Sequence, residues 1–290
     1  MSKVSGKVVL ITGAARGIGA HTARELARRG ARLSLVGLEP EQLKSVADEL
    51  GEDHMWAEAD VTDPESIQEA VARTVEELGG IDVVIANAGI APFGTVRTSD
   101  PKAFTKTIDV NLNGVFHTAQ AALPHVIERR GYVLVVSSLS AFTPVAGMAA
   151  YTASKAGAEA LASALHSEVK HLGVAVGSAH PSWIDTDLVR DAARDLNAFR
   201  EMRKRLPWPV RSTTDVHTCA RAFADAVERR ARRVYVPRSI MLMHWLRNLP
   251  SSQLMERLMQ PLTRKLVPQM EREVAQLGRF FSERNQKLNG

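Results

Sequence analysis

The chain alternates short apolar runs with longer stretches rich in Ala, Leu, Glu and Arg. The short runs are rich in β-branched residues and too short for helices, so each predicts a buried strand. The longer stretches are made of good helix formers. The predicted strands are residues 7–12, 31–37, 55–59, 81–86, 131–138, 173–179 and 233–236. The main predicted helices are the stretch that ends at Arg29 and residues 64–78, 102–129, 149–169 and 214–228.

This alternation of strand and helix, without internal repeats, predicts an α/β fold with a Rossmann-like, doubly wound parallel sheet. Residues 1–238 are expected to form a single domain, and residues 239–290 a basic, helical C-terminal extension. Ligands of such sheets lie at the carboxyl ends of the strands. Five predicted strand ends carry Gly13, Asp60, Asn87, Ser138 and Pro181.

A glycine-rich turn follows the first predicted strand and carries Gly13, Arg16, Gly17, Ile18 and Gly19. Glycines allow the backbone to approach a pyrophosphate, and the N-terminus of the next helix offers free N–H groups and partial positive charge. A glycine-rich turn can also be a plain connection between strand and helix. Its position in the first βαβ unit favours dinucleotide binding.

The end of the second predicted strand bears on the choice of cofactor. An acid there accepts a hydrogen bond from the adenosine ribose and favours NAD, but Gly37 and Leu38 carry no charge. Arg16 is in a position to face a 2′-phosphate, which favours NADP. In the alternative, Glu39 holds the ribose hydroxyls, Arg16 is solvated, and the cofactor is NAD.

Two further strand ends are candidates for cofactor contacts. Asp60, followed by Val61, can accept from the adenine amino group or serve as a turn residue before the next helix, and both roles are compatible. The small residues Ala88 and Gly89 allow a ribose to approach the backbone, and Asn87 can tie neighbouring strands together.

A candidate proton-transfer group lies at the start of the helix at 149–169. Tyr151 and Lys155 are four residues apart and therefore share one helix face. A neighbouring ammonium lowers the pKa of a phenol, so Tyr151 is expected to exchange protons near neutral pH. Ser138, at a strand end, can hold a carbonyl oxygen. Asn111 within a helix is either solvated or marks a kink that holds a water molecule.

The segment after the sixth predicted strand is expected to cover the substrate. Pro181 cannot continue a strand ladder, so residues 180–183 are predicted to leave the sheet as a loop. Residues 184–209 are rich in Arg, Asp and Leu and are interpreted as a mobile flap.

Composition narrows the class of protein. The chain has 290 residues, a net charge of +5 and one cysteine, Cys219, interpreted as a small buried hydrophobe. Residues 240–290 hold eight basic and four acidic residues, so the body is almost neutral and nucleic-acid binding is not expected. No apolar run is long enough to span a bilayer, and no signal peptide is evident. We expect a cytoplasmic protein without a metal site.

The C-terminal extension repeats an apolar residue every fourth position. The repeat consists of Leu254, Leu258, Leu262, Leu266, Met270 and Val274, and it is interrupted by Pro261 and Pro268. One interpretation is a set of helices packed on the body. The other is a basic, amphipathic lid that touches a membrane surface and collects an apolar substrate.

Five motifs, in order along the chain, together resemble the short-chain dehydrogenase/reductase family. The resemblance covers residues from about 7 to 237. The motifs are Thr12-Gly13-x3-Gly17-Ile18-Gly19, Asn87-Ala88-Gly89, Asn111, Ser138 and Tyr151-x3-Lys155. One departure is Ser182, which stands where this family usually has a glycine after the proline corresponding to Pro181.

The resemblance implies NAD(P)-dependent interconversion of an alcohol and a carbonyl, here on an apolar substrate. Tyr151 would be the general acid/base, Lys155 would lower its pKa and bind the nicotinamide ribose, and Ser138 would bind the substrate oxygen. Asn111 would hold a water of the proton relay, and Pro181 and Thr186 would lie at the nicotinamide carboxamide. The family also implies a homodimer or homotetramer. A catalytically silent, nicotinamide-sensing protein is the alternative function.

Overall fold

A seven-stranded parallel sheet forms the centre of the protein in a computed structural model that describes residues 2–206, 208, 210–247 and 253–289. The strand order is β3-β2-β1-β4-β5-β6-β9, and a separate two-stranded sheet pairs β7 with β8. The strands are β1 (Val8–Thr12), β2 (Arg32–Gly37), β3 (Met55–Glu58), β4 (Val83–Ala86), β5 (Tyr132–Val136), β6 (Ala175–Pro181), β7 (Trp183–Ile184), β8 (Thr213–Thr214) and β9 (Arg233–Val236).

Helices cover both faces of the sheet and continue into the C-terminal extension. They are α1 (Gly17–Arg28), α2 (Pro40–Leu50), α3 (Pro64–Leu78), α4 (Pro101–Ile108), α5 (Gly114–Glu128), α6 (Ala149–Val169), α7 (Asp187–Asp195), α8 (Asn197–Arg205), α9 (Val216–Arg229), α10 (Met241–Trp245), α11 (Gln253–Leu277) and α12 (Glu283–Asn289). A π-helical turn, Asp109–Asn113, joins α4 to α5. The sequence pattern did not predict α2.

The two faces of the sheet bury separate apolar cores, because successive side chains of a strand point to opposite faces. In β1, Val9 and Ile11 pack in the core that contains Leu26 and Phe223 of α1 and α9. Val8 and Leu10 belong to the opposite core, with residues of α3, α5 and α6. This arrangement confirms the predicted doubly wound α/β fold.

The expectation that Pro181 ends the ladder was wrong. β6 extends to Pro181, which pairs in register with Val236 of β9. Ser182 N donates to the Val236 carbonyl at 2.8 Å, so the nitrogen of the preceding residue faces the other side, towards β5. Pairing with β5 has already ended at Ala179. Proline is therefore tolerated here because no donor is needed at its position.

The C-terminal portion is helical, as predicted, and packs on the body. Leu266, Met270 and Val274 of α11 are buried in one cluster with Phe93 and Phe199. The helix continues through Pro261 and Pro268, whose interruption of the apolar pattern does not end it. The side chains of Leu254 and Leu258 lie outside the described residues. None of the described helices combines the length and apolar character that crossing a bilayer requires. The boundary at residue 238 stays a prediction.

The predicted flap contains two helices, α7 and α8. α8 packs against α11, so this segment and the C-terminal extension are parts of one apolar cluster. Pro209, where the flap was predicted to end, lies outside the described residues. Its predicted mobility stays a prediction.

Candidate active site

The glycine-rich turn brings the ends of β1 and β4 into backbone contact. Gly13 has a φ of +65°, and a Cβ there would lie 2.8 Å from the Ala88 Cα. A Cβ on Gly19 would lie 2.3 Å from the Gly13 carbonyl oxygen. Both positions therefore exclude larger residues, Gly13 for its left-handed conformation and Gly19 for its packing beneath the turn.

The N-terminus of α1 opens onto the crevice above this turn. Among the described side chains none caps it, and its first turn contains no acid. Unpaired N–H groups and the positive end of the helix dipole suit a phosphate group. The turn thus fits the pyrophosphate of a dinucleotide, both in shape and in charge.

Asn87 fixes the two strand ends relative to each other. Its Nδ2 donates to the carbonyls of Thr12 and Gly13 at 3.0 and 3.1 Å. Its backbone N–H donates to Thr12 Oγ1 at 3.1 Å. The side chain therefore ties β1 to β4, as the sequence suggested.

The adenosine end of the crevice has a different charge arrangement from both sequence-based alternatives. Arg16 Nε donates to Glu39 Oε2 at 2.8 Å, and the two side chains form an ion pair. Arg16 is therefore neither an isolated cation awaiting a phosphate nor simply solvated. Asp60 Oδ1 accepts from the Thr62 N–H and hydroxyl, both at 2.8 Å, so it holds the turn while it also lines the crevice.

Three of the candidate catalytic side chains meet where β5 ends and α6 begins. The Ser138 hydroxyl hydrogen-bonds the Tyr151 phenol. The Lys155 ammonium lies 5.8 Å from the centre of the Tyr151 ring and donates to the Val136 carbonyl at 2.8 Å. Ser137 Oγ donates to the Lys155 carbonyl at 2.8 Å, which fixes α6 to the end of β5.

The predicted lowering of the Tyr151 pKa was wrong. Burial raises this pKa above its ordinary value, and the hydrogen bond from Ser138 opposes the rise only in part. Lys155 does not lower it, since its ammonium is directed to the Val136 carbonyl. Burial lowers the pKa of Lys155 itself to about 8, because a charged ammonium is poorly solvated there.

Asn111 lies in the π-helical turn and is completely buried. Its Oδ1 accepts from Ile90 N at 2.8 Å, and its Nδ2 donates to the Ile90 carbonyl at 2.9 Å and to Ser154 Oγ at 3.0 Å. Ser154 Oγ donates to the Tyr151 carbonyl at 2.8 Å. Asn111 is therefore not solvated but lies in a local irregularity of the helix, and its side chain connects the loop after β4 to the helix of Tyr151.

The structure brings most of the predicted residues together in one crevice of about 240 Å³. Those that line it are Gly13, Arg16, Gly17, Ile18, Asp60, Val61, Asn87, Ala88, Gly89, Tyr151, Lys155, Pro181 and Thr186. Three predicted residues do not line it: Gly19 and Asn111 act through packing and hydrogen bonds, and Ser138 lines a neighbouring pocket.

Some crevice residues were missed by sequence reasoning. Asp187 and Leu188 follow Thr186, and four residues come from the far end of the chain: Ser282, Arg284, Asn285 and Leu288. No local pattern in the C-terminal extension indicates this contact, because it depends on how α11 folds back across the body.

A second, smaller pocket of about 110 Å³ joins the crevice at Tyr151. Ser138 and Ser140 give it a polar end. Most of the remaining wall is apolar and includes Phe93, Val145, Met148, Leu196, Phe199 and Met270. The pocket therefore suits a ligand with one polar group near Tyr151 and an apolar body.

Comparison with known proteins gives consistent matches. A family model described as short chain dehydrogenase matches residues 7–197. The chain is 36% identical over 218 residues to the oxidoreductase UcpA of Salmonella typhimurium, covering 71% of this chain and 82% of that protein. It is 37% identical over 235 residues to the (-)-trans-carveol dehydrogenase of Rhodococcus erythropolis, covering 74% and 84% of the two chains.

Solved structures share the fold. A short chain dehydrogenase/reductase from Burkholderia phymatum, in complex with NAD, superimposes with a TM-score of 0.76 at 22% identity, covering 86% of this chain and 95% of that one. The 3-ketoacyl-(acyl-carrier-protein) reductase from Brucella melitensis, complexed with NADH, gives a TM-score of 0.72 at 25% identity, covering 80% and 97%.

Proposed function

Because this chain belongs to the short chain dehydrogenase family, we propose that it is an NAD(P)-dependent oxidoreductase that interconverts an apolar alcohol and its carbonyl. One observation carries the proposal. Tyr151 lines both the crevice that fits a dinucleotide and the apolar pocket beside it. A proton donor at that junction faces the carbonyl oxygen of a substrate whose carbon faces the nicotinamide.

The bound nicotinamide supplies the hydride chemistry. In carbonyl reduction, Tyr151 would donate its proton to the oxygen of the substrate carbonyl, and the product would be the alcohol. Burial favours the protonated phenol, which suits the acid role in this direction. The single Ser138 hydroxyl proton would be donated to the substrate oxygen during the reaction, and to the phenolate left on Tyr151 once the product alcohol carries its own proton.

Lys155 and Asn111 complete the proposed proton path. The Lys155 ammonium lies next to Gly89, where a Cβ would be 3.2 Å from both Lys155 Nζ and Asn111 Oδ1. From this position Lys155 would bind the nicotinamide ribose. Asn111 would hold the π-helical turn near the water of the relay, since both protons of its amide are already donated within the protein.

The ion pair at the adenosine end bears on cofactor choice. The earlier preference for NADP rested on an Arg16 that faces a 2′-phosphate, and Arg16 is paired with Glu39. A ribose hydroxyl can donate to Glu39, whereas a 2′-phosphate would place its negative charges beside that carboxylate. This arrangement favours NAD, as does the NADH complex of the Brucella reductase.

The wall of the smaller pocket supports an apolar substrate. A small alcohol or ketone, with carveol as the model from the Rhodococcus relative, satisfies the polar end of the pocket with its single oxygen. Binding would then depend on burial of its carbon skeleton.

Turnover distinguishes an enzyme from a cofactor sensor. NAD(P)H absorbance is followed with a panel of alicyclic ketones and alcohols, including carveol, while cofactor binding is measured by calorimetry. Turnover on at least one apolar substrate is the expected result. Tight binding of the dinucleotide with no turnover across the panel would favour the sensor and contradict the proposal.

Two surface features support proposals about assembly. Phe104 on α4 and Phe116 on α5 are exposed, which supports a homodimer or homotetramer formed through the helices near Asn111 and Tyr151. Light scattering should detect the oligomer, and Phe116→Ser should weaken it. A wild-type chain with the mass of a monomer would contradict this proposal.

The second feature is the exposed apolar side of α10, where Leu242 and Trp245 are 55% and 78% exposed. With the basic extension, this supports a peripheral contact with anionic lipid. The point variant Trp245→Ser is the appropriate test, because deletion of residues 240–290 would also remove residues of the crevice. If the wild-type chain and Trp245→Ser sediment equally with anionic liposomes, this contact is excluded.

A further inference from the structure

The segment that leads into α12 is firmly attached to the body beside the dinucleotide crevice. Phe93 N donates to the Phe280 carbonyl at 2.6 Å. Arg279 forms an ion pair with Asp195 at 2.7 Å, in which the Asp195 side chain is largely buried. Ser282, at the start of α12, is 4% exposed. These contacts place the next turn of chain against the crevice wall.

Arg284 reaches the glycine-rich turn from this position. It forms an ion pair with Asp187, which is also 4.0 Å from Arg16. Thr186 lies against the turn, since a Cβ on Gly17 would be 3.6 Å from the Thr186 Cγ2. The Arg284 guanidinium therefore lines the crevice close to Arg16, the residue at the N-cap of α1.

The charged residues that line the crevice are more often acidic than basic, although a pyrophosphate is an anion. Four of the described residues that line it are acidic, Glu39, Asp60, Asp187 and Asp191, and three are basic, Arg16, Lys155 and Arg284. Arg16 is paired with Glu39, and Lys155 lies at the nicotinamide end. Arg284 is paired with Asp187, and it is the cation that the C-terminal extension brings near the turn, where a guanidinium can offset phosphate charge.

We propose that Arg284, contributed by the C-terminal extension, binds the pyrophosphate of the dinucleotide and exchanges its contact with Asp187 for that anion. This deepens the proposed function, on which it rests. The Asp187 carboxylate holds the guanidinium over the turn, and an entering pyrophosphate competes for the same donors. The extension would then form part of the cofactor site as well as part of the substrate wall.

Ligands that differ only in phosphate test this directly. Binding of NADH, ADP and adenosine to the full chain is measured by calorimetry for wild type, Arg284→Gln and Lys287→Gln. Lys287 is a matched control, since it lies on the same helix, is exposed and pairs with Glu283. Arg284→Gln should lower the affinity for NADH and for ADP by about tenfold or more, as expected when a charge-assisted hydrogen bond is lost. Adenosine should bind as before, and Lys287→Gln should change none of the three.

A second variant keeps the test informative if Arg284→Gln disturbs α12. Asp187→Asn removes the competing carboxylate and should tighten ADP severalfold without affecting adenosine. The proposal is overturned if Arg284→Gln keeps the wild-type preference for ADP over adenosine, or if Asp187→Asn weakens ADP. If the wild-type chain turns over substrate and Arg284→Gln binds ADP as tightly as wild type, this inference is refuted while the proposed function stands. ADP binding that depends on Arg284, without turnover on any substrate, would refute the oxidoreductase instead.

Discussion

The floor and the roof of the crevice are built in different ways. The floor, formed by the ends of β1, β4 and β5 and the start of α6, is held by hydrogen bonds to backbone atoms, such as those of Asn87 and Lys155. The roof of the crevice contains residues of α7 and α12, while α8 and α11 line the smaller pocket beside it. These helices are held by apolar side chains and ion pairs such as Arg279–Asp195.

This difference separates two tasks. In the proposed function, backbone-anchored groups would keep a proton donor and a cofactor within the small tolerances that chemistry requires. A roof of packed side chains can change in shape and charge without moving those groups, so in the proposed function it would determine which molecules bind. Changes in the floor should therefore affect turnover, and changes in the roof should affect binding and stability.

The largest effect is expected in the floor, from Lys155→Met. The substitution removes the ammonium beside Tyr151, and turnover should fall by about a hundredfold or more. Stability near neutral pH should change little, because loss of the hydrogen bond to the Val136 carbonyl is offset by removal of the desolvation cost of a buried ammonium whose pKa is lowered to about 8. Steady-state rates and urea unfolding measure both. A variant that loses stability but keeps its turnover would reverse the assignment of this side chain.

In the roof, Met270→Ala should have its main effect on stability and substrate binding. Met270 is 4% exposed and also lines the apolar pocket, so the cavity left behind should cost about 2–5 kcal/mol of unfolding free energy. KM for an apolar substrate should rise more than kcat falls. Met241→Ala, at a half-exposed site, is the control and should change neither. Equal effects of the two substitutions would argue against a role of α11 in the pocket.

Beneath the floor, His180 should make the fold sensitive to acid. Its ring is completely buried, with Nδ1 3.4 Å from the Ser138 carbonyl and Nε2 3.0 Å from Ser178 Oγ. Burial lowers its pKa to about 4. The groups that surround it are Glu159, Arg232, Arg233, Tyr235 and His244.

The sign follows from proton linkage. Below the ordinary histidine pKa, the unfolded chain binds a proton that the folded chain excludes. The free energy of unfolding therefore decreases as the pH is lowered from about 6.5 to about 4. The loss over that window should be about 3 kcal/mol. His180→Gln should remove this part of the acid dependence, whereas the exposed His171→Gln should not. Urea unfolding as a function of pH gives the comparison, and parallel curves for wild type and His180→Gln would contradict it.

The smallest expected effect lies where the floor meets the adenosine end. Glu39→Gln removes the carboxylate that pairs with Arg16 and should shift the ratio of NADPH to NADH affinity towards NADPH by about tenfold. Lys44→Gln, at an exposed ion pair on α2, should leave the ratio unchanged. A wild-type chain that already prefers NADPH would contradict the preference inferred from this pair.

The sequence could predict the floor because its signals are local. The glycine-rich turn, Asn87, and Tyr151 with Lys155 each lie within a short stretch whose element type fixes where it stands in a parallel sheet. The pKa of Tyr151 could not be predicted in this way, since it depends on burial and on where the Lys155 ammonium points. The roof was also not predictable, because the contact of Arg284 with Asp187 joins segments about a hundred residues apart.

The most direct test of the proton-transfer role of Tyr151 is a single-turnover measurement with NADH already bound to wild type and to Tyr151→Phe. After a reactive ketone is added, loss of NADH absorbance reports hydride transfer, and calorimetry in parallel reports cofactor affinity. The expected result is NADH affinity within about twofold of wild type and a rate lower by about a hundredfold or more. A Tyr151→Phe chain that oxidises NADH at the wild-type rate would show that the proton comes from another group.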